Sequence, residues 1–304
     1  MGDLTHTILK GGLTKLKMLI VSILLLIAPL EQDVDKELIL KNDKNQVMTT
    51  VKYDDYVIHF FGLPIINQEK LDQLIKEVSH QVYRAPINAR LNTYGQIIEG
   101  KPGKRLNKRQ LKDELERFFY GEHSSEIEVP LVSVYPKVSS ELLAEISVRK
   151  IGDYVTYYNE YNKERSHNIR LSANAINNYV VFPNENFSFN EVVGERTEEK
   201  GYLRAPVIVK GEFAEDIGGG ICQVSSTLYN AVDLRGIQIV ERYSHSRSVP
   251  YVPPGRDATV SWWGPDFVFK NRYSHPILIR AQAQDGKMMV SIYTAEDVRY
   301  LGDS

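Results

Sequence analysis

The sequence predicts an α+β protein, with a small α+β module in its first half and a β-rich domain with packed helices in its second. Two patterns predict this. Residues 68 to 135 alternate helix-period and strand-period stretches, whereas beyond residue 180 short alternating runs between Gly and Pro turns dominate. The 304 residues are 42% hydrophobic and 25% charged, an ordinary globular composition long enough for two modest domains.

The chain opens with Lys10, Lys15 and Lys17 ahead of an apolar run from Met18 to Leu30, broken by Ser22 and Pro29. That is the charge-then-apolar order of an export signal. The run is shorter than the roughly 20 residues a spanning helix wants, so residues 1 to 32 read as a signal peptide or a short uncleaved anchor. Acidic Glu31, Asp33 and Asp35 follow, as on the far side of a membrane. The expected location is extracytoplasmic, in the cell envelope, secreted or held to the membrane through this segment. No A-x-A site marks a cleavage point.

Residues 33 to 140 form the first module. Leu71, Leu74, Ile75, Val78 and Val82 recur at helical spacing, which predicts an amphipathic helix over 68 to 82. Ile87, Ala89 and Leu91 alternate as a strand, Tyr94-Gly95-Gln96 turns into a second one, and Asn107 is placed to cap a helix bearing Leu111, Leu115, Phe118 and Phe119. Residues 126 to 135 alternate again. Nothing here pairs a nucleophile with a base, so the module reads as a binding or spacer domain. Lys101, Lys104, Arg105, Lys108, Arg109 and Lys112 could meet an anionic polymer or lipid head groups, but Asp113, Glu114 and Glu116 follow directly, and a solvated face is the simpler reading.

Ser139 to Ile146 reads as a linking helix, and the second domain is expected over residues 150 to 295. Tyr154 to Tyr158 is a strand, and Ser166 to Val180 a helix with Ile169, Ala173, Ile176 and Val180 inward. Short strands follow in FPNENFSF, APVIVKG, VPYVPPGRDATVSWW, DFVFKN, ILIRAQ and MMVSIY.

Lys+Arg number 37 against Asp+Glu 39, a net charge of −2 that leaves no global positive field for nucleic acid. There is one cysteine, so intramolecular disulfides and CxxC-type metal sites are excluded. No cofactor or metal is expected, because the acids and histidines show no ligand spacing.

Cys222 follows Gly218-Gly219-Gly220 at the start of a helix whose Val224, Leu228, Ala231 and Val232 share a face, with Gly236 at its far end. Three glycines are entropically costly unless the backbone needs positive φ or a close approach. A helix start favours an anion, which primes a thiolate, and nearby amides of Gly219, Gly220 and the first turn through Ser225 would hold substrate and its oxyanion. A buried, inert thiol is the alternative.

A thiol used for acyl transfer needs a base. His6, His59, His80 and His123 belong to the tail or the first module, His167 reads as a surface residue and His275 precedes Pro276 in a turn, which leaves His245. Asp257 and Asn271 both fall in turns where an acceptor could orient the imidazole, and Asp257 is preferred. Arg196 and Arg242 could grip a substrate carboxylate, or pair with Glu195 and Glu241.

FSFN (187 to 190), GERT (194 to 197), GYLRAPVI (201 to 208), GGGICQVSSTLYNA (218 to 231), ERYSHS (241 to 246) and VPYVPPGRDATV (249 to 260), in that order, resemble the VanW domain. Residues of roughly 70 to 135 resemble the peptidoglycan-binding module that precedes it in YoaR-type proteins. The resemblance implies a Gram-positive envelope protein whose family takes its name from glycopeptide-resistance clusters. It further implies L,D-transpeptidase-type catalysis with Cys222 as nucleophile and His245 as base. The expected function is acyl transfer on peptidoglycan stem peptides through a cysteine thioester. The alternatives are a cysteine carboxypeptidase or endopeptidase of the wall, or a non-catalytic peptidoglycan-binding protein.

Overall fold

A computed structural model describes residues 36 to 61, 63 to 121, 125 to 209 and 212 to 302. The apolar run of residues 18 to 30, His6 and His123 lie outside the described residues. The protein is α+β and divides into two compact units. One takes the described residues up to Tyr83 together with Lys104–Val132. The other takes Arg84–Gly103 and everything from Ser133 onward.

In the first unit, strands Val47–Lys52, Glu37–Lys41 and Glu126–Glu128 form a sheet in that order, the first pair antiparallel and the second parallel. Helix Gln68–Val82 forms where the spacing predicts, with the Asn67 side chain accepting from the Lys70 amide, and its buried residues are the expected Leu71, Leu74, Ile75, Val78 and Val82. Asn107 caps Lys108–Phe119 in the same way. Both stripes share one core with Leu38, Leu40 and Val51, each such side chain contributing roughly 1.5–3 kcal/mol of burial. The stretch read as one strand over 126 to 135 is two, Glu126–Glu128 and Leu131–Val134, interrupted at Pro130, which has no amide to donate.

Residues 84 to 103, read from sequence as part of the first module, pack in the second unit. Ala89 and Leu91 join Val138, Leu143, Ile146, Val180 and Leu278 in one buried cluster, and the Leu91 amide donates to Asn178 Oδ1.

The second unit is built on an antiparallel sheet ordered Arg149–Tyr157, Lys287–Thr294, Ile277–Gln284 and Tyr179–Val181. Two helices, Lys163–Ile176 and Ile221–Val232, pack with it around Ile169, Ala173, Ile176, Val224, Leu228, Met288 and Val290. The first of these helices stops at Ile176. Val180 therefore belongs to a strand and not to the helical stripe, because Asn178 takes a positive φ of 65° and turns the chain. Strands Asn186–Ser188, Val268–Asn271 and Ile237–Glu241 make a second antiparallel sheet. Residues 242 to 267 contain no strand, although VPYVPPGRDATVSWW reads as one. Side chains supply the partners that a neighbouring strand would otherwise offer: Ser225, Ser226 and Asn230 of the Ile221–Val232 helix, with Asn190 and Arg242, bond the carbonyls of Arg256, Ala258, Ser261, Pro265 and Gly255 and the amide of Ala258. These backbone groups are thus satisfied without a ladder.

Candidate active site around Cys222

Cys222 is the second residue of helix Ile221–Val232, a free and half-buried thiol. The helix starts at Gly220, which has φ 106° and provides no side-chain cap. Each glycine of the preceding turn has a steric reason. A Cβ at Gly219 would lie 2.5 Å from the Ala205 carbonyl oxygen, one at Gly218 would meet Arg196 Cβ at 3.1 Å, and one at Gly220 would meet Arg165 Cγ at 2.8 Å. The turn is held from behind by buried Asn168, which donates to the Leu203 and Gly219 carbonyls and accepts from the Leu203 amide. Gly236 does not close the helix, which ends at Val232; it admits the Tyr273 ring, whose Cε1 would stand 2.2 Å from a Cβ there.

The sulfur lies 3.5 Å from the Val260 carbonyl oxygen, and the His245 ring is close enough for Cys222 to act on its protonation. His245 Nδ1 stands 2.6 Å from Asp257 Oδ2, and the same oxygen accepts from the His245 backbone amide at 2.6 Å. Since Nδ1 is engaged by the carboxylate, Nε2 is the nitrogen left for the sulfur. The side chains of His245 and Asp257 are only 7% and 9% exposed, so their contact is shielded from water.

Burial works against the imidazolium, but the Cys222 and Asp257 hydrogen bonds and charges outweigh it and raise the pKa of His245. Burial likewise opposes the Asp257 carboxylate, and the His245 amide and ring overcome it and hold its pKa below the usual value. The arrangement makes His245 a better proton acceptor, fixes its tautomer and keeps the carboxylate ionised. The structure brings His245 and Asp257 into contact and places them where both residues are near Cys222. His275 lies elsewhere, beside Asp297, and His167 bonds the Gly201 carbonyl. Asn271, the other candidate acceptor, is fully buried and donates to the Val181 and His275 carbonyls.

The two arginines named from sequence separate. Arg196 donates to Asn190 Oδ1 at 2.7 Å, and its Nη1 is buried without a hydrogen-bond partner among the described residues. Burial pushes its pKa down, partly offset by Tyr202 and by Cys222. Arg242 instead donates to Tyr229 Oη, the Gly255 carbonyl and Ser244 Oγ, bracing the segment that carries His245 and Asp257. Ser225 turns its hydroxyl to the Cys222 and Ala258 carbonyls.

Three neighbours escape the sequence reading. Arg165 donates to Gln223 Oε1 at 2.8 Å, and burial lowers its pKa while Tyr251 and Cys222 act to raise it. The Tyr251 hydroxyl has its pKa raised, chiefly by burial and also by its nearness to Cys222. Asn168 was visible only as a polar residue inside an apolar stripe, next to Ile169. Among the described residues no group of three or more His, Cys, Asp and Glu is placed to hold a metal, and no helix is long and apolar enough to cross a membrane.

Residues 164–293 match the family model described as "VanW like protein", and residues 40–128 match "Putative peptidoglycan binding domain". The uncharacterized protein YoaR of Bacillus subtilis (strain 168) is 53% identical over 281 residues, covering 92% of this chain and 92% of YoaR. The vancomycin B-type resistance protein VanW of Enterococcus faecalis (strain ATCC 700802 / V583) is 25% identical over 138 residues, 44% of this chain and 50% of that protein. No solved structure matches. The paired domain matches give the protein a cell-wall-associated role in the envelope, with peptidoglycan as its partner. The chain belongs to the VanW family, in the arrangement where a peptidoglycan-binding domain precedes the VanW-like domain.

Proposed function

We propose that this protein transfers acyl groups on peptidoglycan stem peptides through a thioester on Cys222. The observation that carries the reading is the buried His245–Asp257 pair, 2.6 Å from Nδ1 to Oδ2, held where the Cys222 thiol acts on the imidazole from a segment more than 20 residues away. A structural cysteine needs no imidazole oriented by a buried carboxylate; a nucleophilic one does.

His245 takes the thiol proton, and the thiolate attacks the carbonyl between the diamino acid and the terminal D-Ala. As the tetrahedral intermediate collapses, the C–N bond breaks, His245 returns the proton to the departing D-Ala amine, and the C–S bond remains. A side-chain amine of a second stem then gives up a proton to His245 and displaces the thiolate. If water takes the place of that amine, the same residues make a carboxypeptidase or endopeptidase. The first unit would hold the enzyme on its polymeric substrate and raise the local concentration of stems.

Muropeptides incubated with the purified chain and resolved by mass spectrometry test this. D-Ala release, exchange or new cross-links with the wild type and none with Cys222→Ala are expected. Unchanged muropeptides, or the same products from the alanine variant, would overturn the reading.

A further inference from the structure

We infer that Arg165 and Arg196 form a two-guanidinium cradle beside Cys222 that receives a free carboxylate of the acyl donor. The inference rests on the acyl-transfer reading for its substrate, though not for its test.

The two arginines come from separate segments, Arg165 from the first turn of helix Lys163–Ile176 and Arg196 from the stretch after helix Phe189–Val193. Their stems pack against the two ends of the Gly218-Gly219-Gly220 turn, Arg196 on Gly218 and Arg165 on Gly220. Side chains at those glycines would push the arginines away, so the triple glycine makes room for them as well as for the backbone. Arg165 Nη2 is oriented by Gln223 and Arg196 Nη2 by Asn190. Both partners are neutral amides, which fix the direction of a guanidinium without neutralising it.

Neither arginine forms an ion pair with an acid of the described residues. The Asp266 carboxylate acts on Arg196 only weakly, after burial, Tyr202 and Cys222, and its oxygens already accept from Ser188 Oγ and from the Asn190 and Phe267 amides. The buried Nη1 of Arg196 is left without a partner. A buried guanidinium nitrogen without an acceptor is costly, and a ligand oxygen would supply one. Gly218 and Gly220 lie within four residues of Cys222 and Gln223 is its chain neighbour, so both arginines are anchored on the segment that carries the sulfur. Planar guanidinium groups match the two oxygens of a carboxylate. The class of donor selected is therefore one bearing a free carboxylate next to the scissile amide, as on a C-terminal residue that departs as the amine.

Alkylation of the purified chain with a matched pair of reagents tests the cradle without requiring turnover. Iodoacetate and iodoacetamide undergo the same reaction, in which the sulfur bonds the methylene carbon and iodide leaves, but only iodoacetate carries a carboxylate. The expected wild-type ratio of iodoacetate to iodoacetamide rates is about tenfold above that of free cysteine, the scale of one good charge-assisted contact. Arg165→Gln and Arg196→Gln should each bring the ratio of iodoacetate to iodoacetamide rates most of the way to that of free cysteine, beyond any slowing common to both reagents. Lysine at either site should restore part of it. Equal slowing with both reagents would show that the arginines serve the thiolate alone, and a wild-type ratio like that of free cysteine would show that no cradle exists; either overturns the inference.

Should the glutamine variants not fold, the wild type alone suffices. N-acetyl-D-alanine should protect Cys222 from iodoacetamide and its C-terminal amide should not; equal protection, or none, counts against the cradle. If muropeptides stay unchanged while the iodoacetate preference stands, the acyl-transfer reading fails and the anion site survives. If turnover is intact and the preference absent, the cradle fails alone.

Discussion

Replacing Asp257 by Asn neutralises the carboxylate behind His245 at nearly constant volume. Asp257 Oδ2 accepts two hydrogen bonds from His245, from the backbone amide and from Nδ1, both at 2.6 Å and both largely shielded from solvent. A hydrogen bond to a charged group contributes about 1.5–3 kcal/mol and a neutral one about 0.5–1.5 kcal/mol, so loss of the charge should cost roughly 2–3 kcal/mol over the two bonds. About half of that concerns the imidazolium itself, so the His245 pKa should fall. Urea unfolding reads the first effect through a lower midpoint at unchanged slope. The rate of iodoacetamide alkylation against pH reads the second, and near neutrality it should slow by up to about tenfold. Asp257→Ala should be the more damaging change, because it leaves both donors unpaired at about 1–3 kcal/mol each. An Asn variant with the wild-type midpoint and an unmoved pH profile would refute this account of the His245–Asp257 pair.

The same two groups give stability an opposite pH dependence at the two ends of the range. His245 has its folded pKa raised above 6.5, so its contribution is complete below that pH and is lost as pH rises through the raised value. Asp257 is lowered from 3.8, so its contribution holds above that pH and disappears as pH falls through the lowered value; urea midpoints across pH 2 to 9, compared with Asp257→Asn, check both limbs. Gly219→Ala should destabilise by about 1–3 kcal/mol, since its Cβ would meet the Ala205 carbonyl oxygen at 2.5 Å and backbone must shift; a thermal melt equal to wild type would contradict this. Arg242→Ala should lower stability by about 1–2 kcal/mol through its lost bonds to Tyr229, Gly255 and Ser244. The iodoacetate preference should survive that substitution, and its loss would return Arg242 to the substrate site.

Most of the first unit was legible because its helices carry strong periodicity and an asparagine at each start; Asn67 and Asn107 cap as their positions suggest. The Cys222 helix was legible from its glycines, and His245 by elimination of the other histidines. What stayed hidden depends on contacts between distant segments. Ala89 and Leu91 look like continuations of the first module and pack instead with Val180 and Leu278. Residues 249 to 263 read like strand, but the hydroxyls of Ser225 and Ser226 and the Asn230 amide, set along one helix, bond their backbone. No local pattern announces that arrangement. Arg165 sits in a helix as any surface arginine would, and only the approach of Gly220 and Gln223 turns it toward the cysteine.

The central claim is that Cys222 carries the acyl group between donor and acceptor. Intact-protein mass spectrometry of the chain mixed with a stem tetrapeptide, in the absence of an acceptor amine, tests it most directly. The expected product is a covalent adduct equal to the donor minus D-Ala, mapped to Cys222, released by hydroxylamine and absent from Cys222→Ala. Release of D-Ala by wild type with no such adduct, or an adduct that persists in the alanine variant, would contradict it.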